Sequence, residues 1–227
     1  MALILPKINI GAGKRHFEGW INADIIPGPK VDIVFDACKP WPFEDNSIGM
    51  VFGNQMLEHL TDPMAFFKEA HRVLVPGGRL EVTMPYGFSN EAIADPTHLK
   101  SWIPASFCFL QPGWGEECGN PQHDEWTACF GVEMCLRYIN DKLRWWMRPF
   151  IRNITVRVLP FLWNAYINLT VGLLALKDDA SKKAWRVDHW PQMVKVCDVM
   201  YEHSYRGREL GPSETKRVIF FAERGDF

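Results

Sequence analysis

Two glycines one residue apart, Gly11 and Gly13, follow the alternating run Ile8-Asn9-Ile10, and Asp24 closes the next apolar run, Trp20-Ile21-Asn22-Ala23. A β-type alternation that breaks into paired glycines is a strand entering a turn where the backbone comes close to something. Glycine has no Cβ and tolerates positive φ. An acid ending the following strand is placed to accept hydrogen bonds from ribose hydroxyls. Strand, glycine turn, strand and terminal acid together describe a nucleoside site. A dinucleotide fingerprint would need a third glycine, a full helix and an acid roughly 20 residues on. Here the loop continues as Lys14-Arg15-His16 and Asp24 arrives early. A helix N-terminus for a pyrophosphate has little room, so a ligand with adenosine and no phosphate fits better.

The remaining chain reads as alternating strands and helices. Val31–Asp36 and Ile48–Asn54 read as strands. Asp62-Pro63 caps a helix whose apolar face is Ala65, Phe66, Ala70, Val73 and Leu74. Pro76-Gly77-Gly78 stops that helix, and a strand follows over 79–85. Such alternation argues for a parallel sheet covered by helices. Near the end, Met193–Tyr205 and Lys216–Glu223 read as an antiparallel hairpin. The intervening stretch 108–190 reads as a mostly helical insertion within a single domain of 1–227, rich in Trp, Phe, Pro and Cys. The expected fold class is thus α/β: Rossmann-like, seven-stranded and mostly parallel, with helices on both faces.

A net charge of −2 supplies no field for nonspecific nucleic-acid binding. Six cysteines without framework spacing favour reduced thiols and a cytoplasmic setting. Cys118, His123, Cys129 and Cys135 lack the close ligand pair of a structural zinc site, and no zinc is assigned. Between Lys142 and Lys177, Leu143, Met147, Phe150, Ile154 and Val158 recur at helical spacing beside Arg144, Arg148 and Arg152. That pattern, with the apolar run Phe161–Leu176, suggests a helical lid, a homo-oligomer contact or a peripheral contact with a membrane surface. The run is too short and too polar to span a bilayer.

The motifs Asn9-Ile10-Gly11-Ala12-Gly13, Gly19-Trp20-Ile21-Asn22-Ala23-Asp24, Trp41-Pro42-Phe43-Glu44-Asp45-Asn46-Ser47, Leu57-Glu58-His59-Leu60 and Arg72-Val73-Leu74-Val75-Pro76-Gly77-Gly78 resemble those of class I S-adenosylmethionine-dependent methyltransferases. Asp95-Pro96-Thr97-His98 with Ser106-Phe107 is similar to a branch of small bacterial and phage members. The resemblance implies S-adenosylmethionine as cofactor. Asn9, Gly11, Ala12 and Gly13 would line its methionine part, Asp24 would hold the ribose hydroxyls, and Ile25 is a further cofactor-binding candidate. Asp36 and Ala37 would lie by the adenine, and Asn54 near the sulfonium. Glu58, His59 and His98 are the candidate catalytic residues, with His98 either the base or a brace for its own turn. Gln55-x-x-Glu58-His59 with His98 is also similar to a divalent-ion run of some O-methyltransferases, but Gln55 replaces a carboxylate, and no metal is assigned. The expected activity is methyl transfer to an oxygen or nitrogen of a small-molecule or glycan-type acceptor. The alternative is a non-catalytic cofactor-binding or scaffold protein of the same fold.

Overall fold

The computed structural model describes residues 5–114, 128–139, 166–189 and 196–199. Its centre is one sheet in the order β3-β2-β1-β4-β5-β7-β6-β8. The strands are β1 (Lys7–Ile10), β2 (Ile21–Asp24), β3 (Ile33–Val34), β4 (Ile48–Asn54), β5 (Leu74–Pro85), β6 (Phe130–Ile139), β7 (Tyr166–Ala175) and β8 (Val196–Val199). From β3 to β5 every pairing is parallel. β7 runs antiparallel to both β5 and β6. The mostly parallel α/β class therefore stands, with short β8 added on the edge beyond β6.

Helix α1 (Pro63–Val73) connects β4 to β5. Its N-cap is Asp62, whose side chain accepts from the N–H groups of Met64 and Ala65, and Pro63 occupies the first turn, where its missing N–H costs nothing. Phe66, Phe67, Ala70 and Val73 are buried along one face. They join Trp102, Phe107 and Phe130 and the sheet residues Ile8, Val51, Leu80, Val82, Leu169 and Val171 in one continuous core.

The opposite flank of α1 is more than a solvated face. Arg72 donates to the carboxylates of Glu69 and Asp45 and to the carbonyls of Trp41 and Phe43, all within 2.7–3.0 Å. Glu69 in turn accepts from the Trp41 N–H at 2.7 Å. This network ties the loop before β4 to the end of α1. Burial raises the Glu69 carboxyl, but Arg72 and the Trp41 N–H together bring it below the usual carboxylate range.

Two expectations are corrected. The stretch 108–190 is not mostly helical among the described residues, because it supplies β6 and β7, alongside the helix α2 (here Asp179–His189). β7 lies inside the sheet, with Leu169, Thr170, Val171, Leu173 and Ala175 buried. A strand covered on both faces is apolar at nearly every position, so its run carries no period of two and imitates a buried helix. The antiparallel element is thus β7. Of the expected C-terminal hairpin, β8 falls within Met193–Tyr205 and pairs parallel with β6, while Lys216–Glu223 lies outside the described residues. The arginine-bearing stretch 142–165 lies outside them too. No described helix is long and apolar enough to cross a membrane.

Candidate functional site

The chain leaves β1 towards β2 and β3 on one side of the sheet and returns as β4 on the other. At this reversal the loops after β1 and β4 diverge above the carboxyl ends of the strands, the place where open parallel sheets bind ligands. Gly11 and Gly13 stand after β1 with φ of +69° and +52°. No helix follows them before β2; the loop turns through hydrogen bonds from Arg15 N–H to Ala12 and from Trp20 N–H to Phe17.

The two glycines differ in what surrounds them. A Cβ on Gly11 would come within 2.9 Å of Met56 Cβ, so this glycine is required by packing against the loop after β4. A Cβ on Gly13 would meet nothing within 4 Å. Gly13 borders open space, and its N–H donates to Asp24 Oδ2 at 2.7 Å. The other oxygen of Asp24 accepts from the Ile26 N–H at 2.9 Å. Asp24 thereby fixes the ends of β1 and β2 against each other while its carboxylate stays half-exposed. Ile25 beside it is 62% exposed.

Ala12 is buried and its N–H donates to the carbonyl of Ala23. Asp36 caps its own turn by accepting from the Cys38 N–H at 2.8 Å. Ala37 accepts from the indole N–H of the buried Trp41, which anchors this turn from behind. Asn54 ends β4, half-buried, in register with Thr83. Asn9 is buried. Its buried amide nitrogen donates to the Arg15 carbonyl and to Asn22 Oδ1, holding the glycine loop shut from below.

Sequence reasoning missed the partners of that amide. Asn22, fully buried, accepts from the Phe17 N–H and donates to Phe17, Trp20 and Asp32. Asp32 also accepts from the Asn22 N–H, and these two bonds hold its carboxyl below the usual range. The available signal was the pairing itself: Asn9 and Asn22 face each other in the β1–β2 register. Buried polar groups need partners, so two amides at one register point to each other.

Past β4, Gln55 adopts φ of +51°, and a 3₁₀ turn (Leu57–His59) carries Glu58 and His59. The loop bearing His98 docks onto this turn through a hydrogen bond from the Leu99 N–H to the Glu58 carbonyl. The rings of His59 and His98 meet edge to face with centroids 4.8 Å apart. His98 Nδ1 donates to the Ala92 carbonyl at 3.1 Å, and its Nε2 lies 3.7 Å from Asp95 Oδ2. His59 Nδ1 donates to the Thr97 carbonyl at 3.3 Å. Glu58 is buried, which pushes its carboxyl up; its own backbone N–H and the two imidazoles pull the other way. The three candidate catalytic residues are thus brought together. Of the cysteine–histidine set, Cys118 and His123 lie outside the described residues.

A glycine turn and a half-exposed acid joined by a hydrogen bond thus stand at the reversal point of a parallel α/β sheet. Residues 22–82, from β2 into β5, match a family model described as a methyltransferase domain. Over 57 residues, a quarter of this chain, the sequence is 40% identical to a probable S-adenosylmethionine-dependent methyltransferase of Mycolicibacterium smegmatis. Over a stretch of the same length it is 39% identical to an uncharacterised 37.1 kDa protein of transposon TN4556 from Streptomyces fradiae. These matches span 22% and 16% of the two relatives' lengths. A solved methyltransferase from Archaeoglobus fulgidus shares the fold, with a TM-score of 0.50 at 16% identity over 75% of this chain and 86% of that one. Residues 22–82 are thus similar to the methyltransferase domain of S-adenosylmethionine-dependent enzymes, a class whose cofactor is S-adenosylmethionine.

The residues present fit that cofactor. The open space at Gly13 admits a ligand against the backbone, and the half-exposed Asp24 carboxylate retains lone pairs for hydroxyl donors.

Proposed function

We propose that the protein moves a methyl group to an oxygen or nitrogen of an acceptor that enters between the Leu57–His59 turn and the loop carrying His98. The observation that carries this reading is that Met56, packed on Gly11 of the glycine turn, leads directly into the Leu57–His59 turn. Gly13 and Asp24 form a nucleoside-type half-site, and Glu58, His59 and His98 form a proton-handling half-site reached through Met56, which packs on Gly11. In this reading Asp24 holds the ribose, Ile25, Asp36 and Ala37 flank the base, and Gly11, Ala12, Gly13 and Asn54 shape the remaining wall. Bound S-adenosylmethionine supplies an electrophilic methyl group on a sulfonium.

The chain's own tasks are orientation, exclusion of water and disposal of one proton. An O–H or N–H acceptor gives up a proton as its new bond to carbon forms. His98 Nε2 is positioned to manage it: Nδ1 is spent on Ala92, and Asp95 stands beside the ring to stabilise positive charge. A small-molecule or glycan-type acceptor and a cytoplasmic setting accord with the modest net charge and with cysteines that form no disulfide among the described residues.

Thermal shifts test the reading. S-adenosylmethionine and S-adenosylhomocysteine should both raise the unfolding midpoint, and NAD should leave it unchanged. Stabilisation by NAD alone would overturn the assignment. Stabilisation by the two adenosyl compounds, with no labelled methyl transferred to any acceptor in a broad panel, would favour the non-catalytic scaffold.

A further inference from the structure

We propose that the side-chain amides of Gln55 and Asn168 form a recognition site for an uncharged molecule carrying two neighbouring hydroxyl groups. Gln55 directly follows β4, two residues before the Leu57–His59 turn, and Asn168 lies near the start of β7. Because β7 runs antiparallel to β5, Asn168 stands in register with Pro85, the last residue of β5. The Gln55 amide nitrogen donates to Asn168 Oδ1 at 3.1 Å. This bond reaches from β4 to β7 past the end of β5, at the carboxyl edge of the parallel strands. That the bound molecule is the methyl acceptor rests on the methyltransferase reading; its recognition by the two amides does not.

The backbone under Gln55 is held in an unfavourable state. Its φ of +51° is left-handed, a conformation uncommon for any residue but glycine. Among the described residues the other non-glycine case is Asn46, a residue type that adopts it more readily. The Gln55 N–H still donates to the Thr83 carbonyl at 2.8 Å, so the residue stays tied to the sheet while its side chain turns to Asn168. Backbone strain over-determined in this way is retained chiefly at ligand-binding and catalytic positions.

Each amide offers one acceptor oxygen and one nitrogen with two N–H donors. Their mutual bond uses the Gln55 nitrogen and the Asn168 oxygen, and neither side chain makes another hydrogen bond among the described residues. Gln55 Oε1 and Asn168 Nδ2 remain open on two half-exposed residues. Exchanging the two amide orientations swaps the atoms and again leaves one oxygen and one nitrogen. An acceptor beside a donor matches two neighbouring hydroxyls, one donating and one accepting; a carboxylate only accepts and an ammonium only donates. The sheet continues this neutral chemistry, since Asn54, Thr83 and Thr170 stand in register across β4, β5 and β7, with the two threonine hydroxyls 2.7 Å apart. Glu81, two residues earlier on β5, is 5% exposed and ion-paired with Arg79 at 3.5 Å. A charged group docked on this row would lose water and gain no counter-ion.

The test is saturation-transfer-difference NMR on the full chain, with and without S-adenosylhomocysteine. The probes are the methyl glycopyranosides of glucose, mannose, galactose and rhamnose, with D-glucuronate and D-glucosamine as charged counterparts. At least one uncharged glycoside should bind saturably and more tightly than either charged sugar. Gln55→Ala and Asn168→Ala should each weaken that binding about twofold to tenfold, the range for one neutral hydrogen bond, and leave S-adenosylhomocysteine affinity unchanged. Gln55→Glu keeps the size and adds a negative charge, so it should shift preference towards D-glucosamine. Far-UV circular dichroism checks the fold of each variant, and Asn168→Ala with Gln55→Glu suffices if Gln55→Ala unfolds. No uncharged glycoside bound by the wild-type chain, a charged sugar preferred by it, or equal glycoside affinity in the variants would overturn the proposal. A lowered unfolding midpoint with unchanged glycoside affinity in Asn168→Ala would make the pair a brace between strands and overturn it equally. Glycoside binding through this pair by a wild-type chain that binds no S-adenosylhomocysteine would support the site while refuting the methyltransferase reading.

Discussion

The Gly13 N–H donates to Asp24 Oδ2 across 2.7 Å, joining the glycine turn after β1 to the last residue of β2. One short, charge-assisted bond makes the glycine turn and the acid at the end of β2 a single unit. The acid therefore shapes the turn before any ligand arrives, and loss of either partner disturbs both.

The two glycines should respond differently to substitution. Gly11→Val should lower stability markedly, since its Cβ would press within 2.9 Å of Met56 and its φ is +69°. Gly13→Ala should leave the chain folded at a cost of about 1–2 kcal/mol for the left-handed backbone, because its Cβ meets nothing within 4 Å. Its main effect should be weaker S-adenosylhomocysteine binding. Thermal unfolding and calorimetry on the two variants separate these outcomes; equal loss of stability in both would contradict the distinction.

Arg72→Ala should destabilise the fold by about 1.5–3 kcal/mol, as expected for loss of hydrogen bonds between charged groups. The guanidinium serves two carboxylates and two carbonyls in a part-buried position. Chemical denaturation measures the change. A loss under about 0.5 kcal/mol would place this network among ordinary surface ion pairs.

His71 predicts a pH dependence. Burial first, and then the nearby Lys177 cation, hold its pKa down to about 4 from an ordinary 6.5, while its Nε2 donates to the Leu176 carbonyl at 3.2 Å. A depressed histidine pKa means that the native state binds the proton less readily than the unfolded chain. The stability from neutral His71 is thus complete above pH 6.5 and is lost as pH falls towards 4. His71→Gln should flatten the fall of the unfolding midpoint over that interval. Parallel curves for the two proteins would contradict the assignment.

The early strands, the Asp62-Pro63 cap and the glycine–acid pair were legible because each has a local cause: alternation, side-chain capping, or absence of a Cβ. β7 was not, since burial on both faces erases the period that separates strand from helix. The partners of the Asn9 amide were not legible. Only the register with Asn22 shows its amide turned inward, and register is a long-range property. The anchoring of Arg72 is likewise a long-range property, since its partners Asp45 and Trp41 lie far away in sequence.

Calorimetric titration of S-adenosylhomocysteine into the wild-type chain and Asp24→Ala tests the central claim most directly. The wild-type chain should bind one equivalent, and the variant should lose about 1.5–3 kcal/mol of affinity, the worth of hydrogen bonds to a charged group. No binding by the folded wild-type chain, or equal affinity in the variant, would contradict the account.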